Sequence, residues 1–163
     1  MKKILLTLLL FSSIFAQANR ILTLAPTAQV SSIGNVMLPM MNPARNLFDK
    51  DHFSFSRVNW MTNIVDDMSY NFINFDRGQY GVNVLFFNYG EQNQSDEFGI
   101  IQSQFTPLSA VYSLSYARKV NKYNLGLDVK LITHNLHTQN AKGLVFGVGG
   151  YFPKVYKDLD LDV

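Results

Sequence analysis

The chain has 163 residues and no cysteine; 47% of its residues are hydrophobic, 13% are aromatic and only 16% are charged. This composition excludes disulfide scaffolds, thiol catalysis and cysteine-ligated metal sites, and the abundant aromatic residues argue against disorder. The net charge of +2 gives no support for nucleic-acid binding, and the length fits one domain.

The N-terminus carries the three parts of a secretory signal peptide. Met1-Lys2-Lys3 is basic, residues 4–16 (ILLTLLLFSSIFA) are almost wholly apolar, and Ala16-Gln17-Ala18 is an A-x-A cleavage pattern. A transmembrane helix needs about 20 apolar residues, so this stretch is too short for an anchor. We predict cleavage after Ala18, which leaves 145 residues with 12 basic and 12 acidic side chains.

Residues 19–50 show no strand or helix periodicity. Pro26, Pro39 and Pro43 interrupt any helix, and small residues surround Gly34. We predict that this segment is an N-terminal arm or plug.

From residue 51 onward, apolar side chains alternate with small or polar ones. Seven such runs and a final one that reaches Val163 predict seven to eight strands. Between them lie turns at residues 76–79, 121–124 and 138–142 and a polar loop at residues 88–99. The runs cover residues 53–56, 68–72, 80–86, 100–105, 112–117, 125–131, 144–149 and 159–163.

This alternation predicts one aliphatic and aromatic face and one face of Ser, Gly, Asn, Asp and Lys. Counted as far as the neighbouring turn residues, each segment is about 8–12 residues long, which is typical of transmembrane β-strands. Such strands must close into a barrel because lipid offers the backbone no hydrogen-bond partners. A soluble sandwich shows the same alternation and is the alternative. Aromatic residues near strand ends favour a transmembrane antiparallel barrel, in residues 51–163. They are Phe53, Trp60, Tyr80, Tyr89, Tyr112 and Tyr151.

Several ordered pieces over about two thirds of the chain resemble the PorV/PorQ family of outer-membrane proteins, relatives of the FadL-like barrels. Asn42-Pro43-Ala44 is similar to the family's NPA element, and FSFSRVNW (residues 53–60) to its first strand. Asn88-Tyr89-Gly90, Asp96-Glu97-Phe98-Gly99, SLSYARK (113–119), LGLDVKL (125–131) and GVGGY (147–151) follow in the family's order. Three pieces resemble the PorQ branch more than the PorV branch: NWM (59–61), NYGE (88–91) and DEFG (96–99).

The resemblance implies a FadL-like barrel of about fourteen strands at the outer membrane, with a role in type IX secretion. Its implied partners are outer-membrane lipid, other secretion-apparatus proteins and secreted cargo domains. Arg45 departs from the small residue that usually follows NPA, and the chain stops at Val163 without a terminal aromatic residue. We therefore expect a fragment of a longer barrel; a complete eight-stranded barrel is the rival interpretation.

The residues that could carry chemistry form weak patterns. His134 and His137 lie three apart on a predicted strand end and so point to opposite faces, while the Asp158, Asp160 and Asp162 series lacks the Gly and Glu of a calcium loop. The GVGG sequence of residues 147–150 precedes no helix, and Asp66-Asp67 lies in a polar, turn-like stretch. We predict no catalytic, cofactor or metal site.

Three charged residues are predicted to line the barrel interior. Asp128 and Lys130 lie two apart on the polar face of one strand, and Arg118 on a neighbouring strand is a candidate partner for Asp128. Because unpaired buried charges are costly, we expect a packed ion network.

Four functions remain open at this point. The first is a non-enzymatic outer-membrane component of a secretion or surface-attachment apparatus, and the second is a FadL-like channel for hydrophobic compounds. The third is an outer-membrane lipid hydrolase, for which the sequence offers no nucleophile motif. The fourth is a periplasmic β-sandwich binding module, which is the soluble alternative.

Overall fold

The computed structural model describes residues 42–48, 51–60, 67–156 and 159–162. The predicted signal peptide, the arm before Asn42, and Asp66 and Asp158 lie outside these residues. In the described part of the chain, no helix is long and apolar enough to cross a membrane.

The described residues are mostly antiparallel strand, as the alternation predicted. One short 3-10 turn, Pro43–Leu47, precedes the strands. The strands are β1 (His52–Asn59), β2 (Ser69–Arg77), β3 (Tyr80–Asn88), β4 (Gln92–Ser95), β5 (Ile101–Phe105), β6 (Leu108–Val120), β7 (Tyr123–Leu136), β8 (Gln139–Tyr156) and β9 (Leu159–Asp162).

Seven strands form one sheet in the order β1-β2-β3-β6-β7-β8-β9, and β4 and β5 form a separate hairpin. Within the described residues β1 and β9 do not pair, so the sheet is open and the predicted closed barrel is not seen. Tight turns at Gly78-Gln79 and Asn121-Lys122 mark one end of the sheet, named here the turn end. The β4–β5 hairpin and the β7–β8 turn mark the loop end.

Side chains alternate between two faces of the sheet. The inner face carries most of the buried side chains and packs against the 3-10 turn, whereas the outer face exposes apolar ones. The strand register arranges both faces in rows, and the middle outer row consists of Phe53, Phe75, Val82, Leu114, Val129 and Phe146.

The inner face is apolar toward the loop end and polar toward the turn end. Its apolar cluster contains Tyr70, Phe72, Leu85, Phe87, Val111 and Ile132. The next row toward the turn end is Asn74, Asn83, Ser113 and Lys130, followed by Asp76, Gly81, Ser115, Asp128 and Gly147.

Three details of the sequence interpretation were wrong. The alternation placed Tyr70 and Phe72 on the same face as the exposed apolar residues, but both are buried on the inner face. Residues 88–99 are not simply a loop, because Gln92–Ser95 forms β4, a strand with no apolar residue for periodicity to detect. The turn before β8 is His137-Thr138, so β8 begins at Gln139, within the range assigned to that turn.

Candidate functional site

The candidate site is the contact between the 3-10 turn and the inner face of the sheet. Asn42 starts the turn: its side-chain oxygen accepts the Ala44 N–H at 2.9 Å, and its carbonyl accepts the Arg45 N–H at 3.1 Å. Pro43 suits the first helical position because its fixed φ is helical and no N–H is left unsatisfied there. The Asn-Pro-Ala order therefore builds a compact, buried turn.

Glycines of β7 and β8 give this turn the space it occupies. A Cβ at Gly126 would clash with the backbone of Pro43 and Ala44, and a Cβ at Gly149 would clash with the Asn42 side chain. The Asn42 amide also donates to the Gly150 carbonyl at 3.2 Å. The turn thus lies directly on the sheet backbone, which requires glycine at both positions.

Asn46 fixes the other end of the turn. This residue is 1% exposed, and its side-chain nitrogen donates to the Ser115 hydroxyl at 2.9 Å and approaches the Gln79 carbonyl at 3.4 Å. Ser115 in turn donates to the Gly81 carbonyl at 3.2 Å. These bonds join the turn to β3 and β6.

A buried ion pair lies on the same face. The Lys130 ammonium contacts the Asp128 carboxylate at 2.5 Å, and their side chains are only 10% and 1% exposed. Gly147 makes room for the carboxylate, since a Cβ there would come within 2.5 Å of Asp128 Oδ1. Both charges lie on the inner, buried face of β7.

Arg118 does not belong to this ion pair, which corrects the sequence interpretation. It is exposed at an outer-face position of β6, beside the buried inner-face Ala117. Since successive strand residues point to opposite faces, Arg118 and Asp128 lie on opposite sides of the sheet. The cation that pairs with Asp128 is Lys130, on the same strand.

The polar rows extend from the ion pair to β2. Asn74 donates to Asn83 at 2.8 Å and to Asp76 at 2.9 Å. Asn83 Nδ2, Ser113 Oγ and Asp128 Oδ1 are buried and have no hydrogen-bond partner among the described residues. These rows form a polar, buried layer beside the apolar cluster.

The other family-motif residues shape the β4–β5 hairpin. The Asn88 side chain accepts the Gly90 N–H at 2.8 Å, and the Tyr89 N–H donates to the Pro107 carbonyl at 3.1 Å, which closes the base of the hairpin. At the tip, Asp96 accepts the backbone N–H groups of Phe98 and Ile100, both at 2.9 Å. Gly90 and Gly99 both have φ of 79°, which glycine adopts without strain.

The weak chemical candidates are found in separate places. His134 Nδ1 lies 2.6 Å from the Ser109 hydroxyl. His137, which lies in the β7–β8 turn, packs against Phe105 of β5. Asp67 accepts the Glu91 N–H. Among the described residues, no group of three His, Cys, Asp or Glu side chains could hold a metal ion.

Sequence reasoning missed Asn46, Ser115, Gly126 and Gly149 as members of the site. Their only signal is that each glycine or serine occupies an inner-face position of its strand. In comparisons with known proteins, no family model, curated protein or solved structure matches the chain.

Proposed function

We propose that this chain forms part of the wall of an outer-membrane β-barrel that serves, without catalysis, a protein secretion or surface-attachment apparatus. The observation that carries the membrane part is the reversed polarity of the sheet. Toward the turn end its buried face holds Asn, Ser, Asp and Lys side chains, whereas its exposed face holds Phe, Leu, Val and Tyr. A soluble sheet places these classes the other way round.

The exposed apolar residues form a continuous band across the strands. Three adjacent rows are almost entirely apolar; Phe146 and Val148, for example, are 74% and 79% exposed. Polar residues border the band, with Arg57, Asn71 and Lys142 toward the loop end and Arg118 toward the turn end. Large contiguous apolar surfaces are rare on soluble monomers, and a bordered apolar band is typical of membrane barrels.

Strand lengths and aromatic positions are consistent with this proposal. A tilted transmembrane strand needs about 9–11 residues; β2 and β3 have nine each, and β6 and β7 have 13 and 14. Tyr80 and Tyr116 pair at 5.4 Å at the turn-end border of the band, where aromatic girdles occur in membrane barrels.

The secretion role is supported by the resemblance to the PorV/PorQ family, whose quoted residues build the turn contact and the hairpin. Its test is affinity purification of the full chain from outer membranes extracted with detergent. Secreted C-terminal signal domains should co-purify with the wild-type chain, and to a lesser extent with a variant lacking residues 91–106. Outer membranes that yield the chain without such domains would contradict the secretion role.

A FadL-like channel for hydrophobic compounds is the second candidate, and the inner apolar cluster favours it. Tyr70, Phe72, Leu85, Phe87, Val111 and Ile132 form an apolar layer on the face opposite the exposed band. Deletion of the gene should then abolish growth on long-chain fatty acids while leaving protein secretion unchanged. The secretion proposal predicts the reverse result.

A further inference from the structure

A cleft of about 330 Å³ lies on the outer face at the turn end, where β7, β8 and β9 meet. We propose that this cleft binds the phosphate headgroup of an anionic phospholipid; the inference rests on the proposed barrel. Its lining is Lys122, Tyr123, Phe152, Pro153, Lys154 and Leu161.

The walls of the cleft are apolar and continue the exposed band. Tyr123, Phe152 and Leu161 occupy outer-face positions, since Phe152 pairs with Leu161 and Tyr123 pairs with Val120. The Tyr123 and Phe152 rings are 5.2 Å apart. A Cβ at Gly150 would come within 2.6 Å of the Phe152 ring, so glycine lets this ring fold back along the strand toward the band.

Two lysines flank these walls. The Lys122 ammonium lies 5.3 Å from the centre of the Tyr123 ring, and Lys154 lies in the irregular pairing between β8 and β9, with φ of 52°. Asp160 holds that irregular backbone: its carboxylate accepts the Lys154 N–H at 2.9 Å and the Tyr151 hydroxyl at 2.5 Å. The lysine charges therefore stand beside an apolar cleft at the border of the band.

The position of the cleft favours a lipid over a soluble anion. Exposed Arg118 extends the positive charge of the outer face at the turn end. In outer-membrane barrels the short turns face the periplasm, so this end meets phospholipid headgroups. A lipid places its acyl chains on the band and its phosphate between lysines that stand at the surface, an arrangement in which each lysine adds to anionic-lipid binding.

The test measures lipid preference with the full chain in vesicles of phosphatidylcholine alone or mixed with phosphatidylglycerol. Spin-labelled phosphatidylglycerol and phosphatidylcholine give the relative association of each lipid with the protein. We expect the wild type to prefer phosphatidylglycerol. In K122Q/K154Q this preference should fall by a factor of about five for each lysine that is replaced. The matched control is K119Q/K142Q, which removes the same charge from an inner-face position and from the loop end, and should keep the preference.

Four results would overturn the inference. Equal losses in both double variants would show a general charge effect, and displacement of the lipid by soluble glycerophosphoglycerol would show a site for free phosphate esters. A wild-type chain that inserts but shows no preference would refute the cleft and leave the barrel standing. Failure to insert in either vesicle would refute the barrel, and the lipid site with it.

Discussion

The glycines of the inner face differ in what they contact. Gly126 and Gly149 touch the turn that contains Asn42, Pro43 and Ala44, whereas a Cβ at Gly143 would meet nothing within 4 Å. Replacement of Gly126 or Gly149 should therefore disturb the turn, whereas replacement of Gly143 should leave it in place.

We predict that G126A displaces the 3-10 turn from the sheet. The new methyl group must occupy the position of the Pro43–Ala44 backbone, and overpacking of this kind costs about 1–3 kcal/mol. Amide hydrogen exchange should show faster exchange at Ala44 and Phe48, and residues 42–48 should become sensitive to protease. G143A is the matched control; similar exchange in the two variants would contradict the glycine contact.

A second prediction concerns the buried ion pair. K130M leaves the Asp128 carboxylate buried without its cation, and removal of one partner of a buried pair costs about 3–5 kcal/mol. The double variant D128N/K130M should recover most of this loss, because no uncompensated charge remains. Urea unfolding of the four members of this cycle measures the coupling, and additive effects of the two substitutions would argue against the pair.

At the level of elements, the β4–β5 hairpin is unusual because β4 has no apolar residue and the hairpin stands outside the main sheet. An isolated two-stranded hairpin is marginally stable in water, so its tip needs local support. The Asp96 side chain supplies it by accepting bonds from Phe98 and Ile100, and from the Gln102 amide at 3.0 Å.

These bonds predict a pH dependence of the hairpin tip. Hydrogen bonds lower the pKa of Asp96, and the bond from the Ile100 N–H has the largest effect. Desolvation opposes this shift in part, and the bonds from Gln102 and Phe98 add to it. A carboxyl whose pKa is lower in the folded state stabilises the tip above its unfolded pKa of about 3.9, and this contribution is lost as pH falls through the folded pKa.

NMR amide exchange at Phe98 and Ile100 should therefore accelerate below about pH 4 relative to unfolded-peptide rates. D96A should show the faster exchange at neutral pH. D96N keeps an acceptor oxygen but does not titrate, so its exchange should be insensitive to this pH change. A pH response retained in D96N would assign the effect to another group.

The sequence predicts elements better than the contacts between them. Alternation located most strands of the main sheet, because a period of two is a local signal. It missed β4, whose residues are all polar. The contact between Asn42 and Gly150 joins residues 108 positions apart, so nothing near either residue indicates the other. The assignment of Arg118 to the inner face was wrong because Arg118 directly follows the buried Ala117, and successive strand residues point to opposite faces.

At the scale of the whole molecule, the outer face is the property that distinguishes a membrane wall from a soluble sheet. Leu114 and Leu108 both lie on this face of β6 and are 58% and 40% exposed. Six residues, or about 20 Å along a strand, separate them. Leu114 is in the middle row of the band, whereas Leu108 is at the loop-end border beside Asn88 and Asn135.

This pair of leucines gives the decisive prediction for the membrane. In a bilayer, L114R should lower the free energy of unfolding by about 2–4 kcal/mol and L108R by only about 0–1 kcal/mol, because the cost of a charge falls from the midplane to the interface. In a soluble sheet both leucines would face water, and exposed substitutions usually change stability by no more than about 0.5 kcal/mol. Reversible urea unfolding in phosphatidylcholine vesicles measures both values. Small and equal effects of the two arginines would refute the band as a lipid-facing surface, because water would then surround both positions alike.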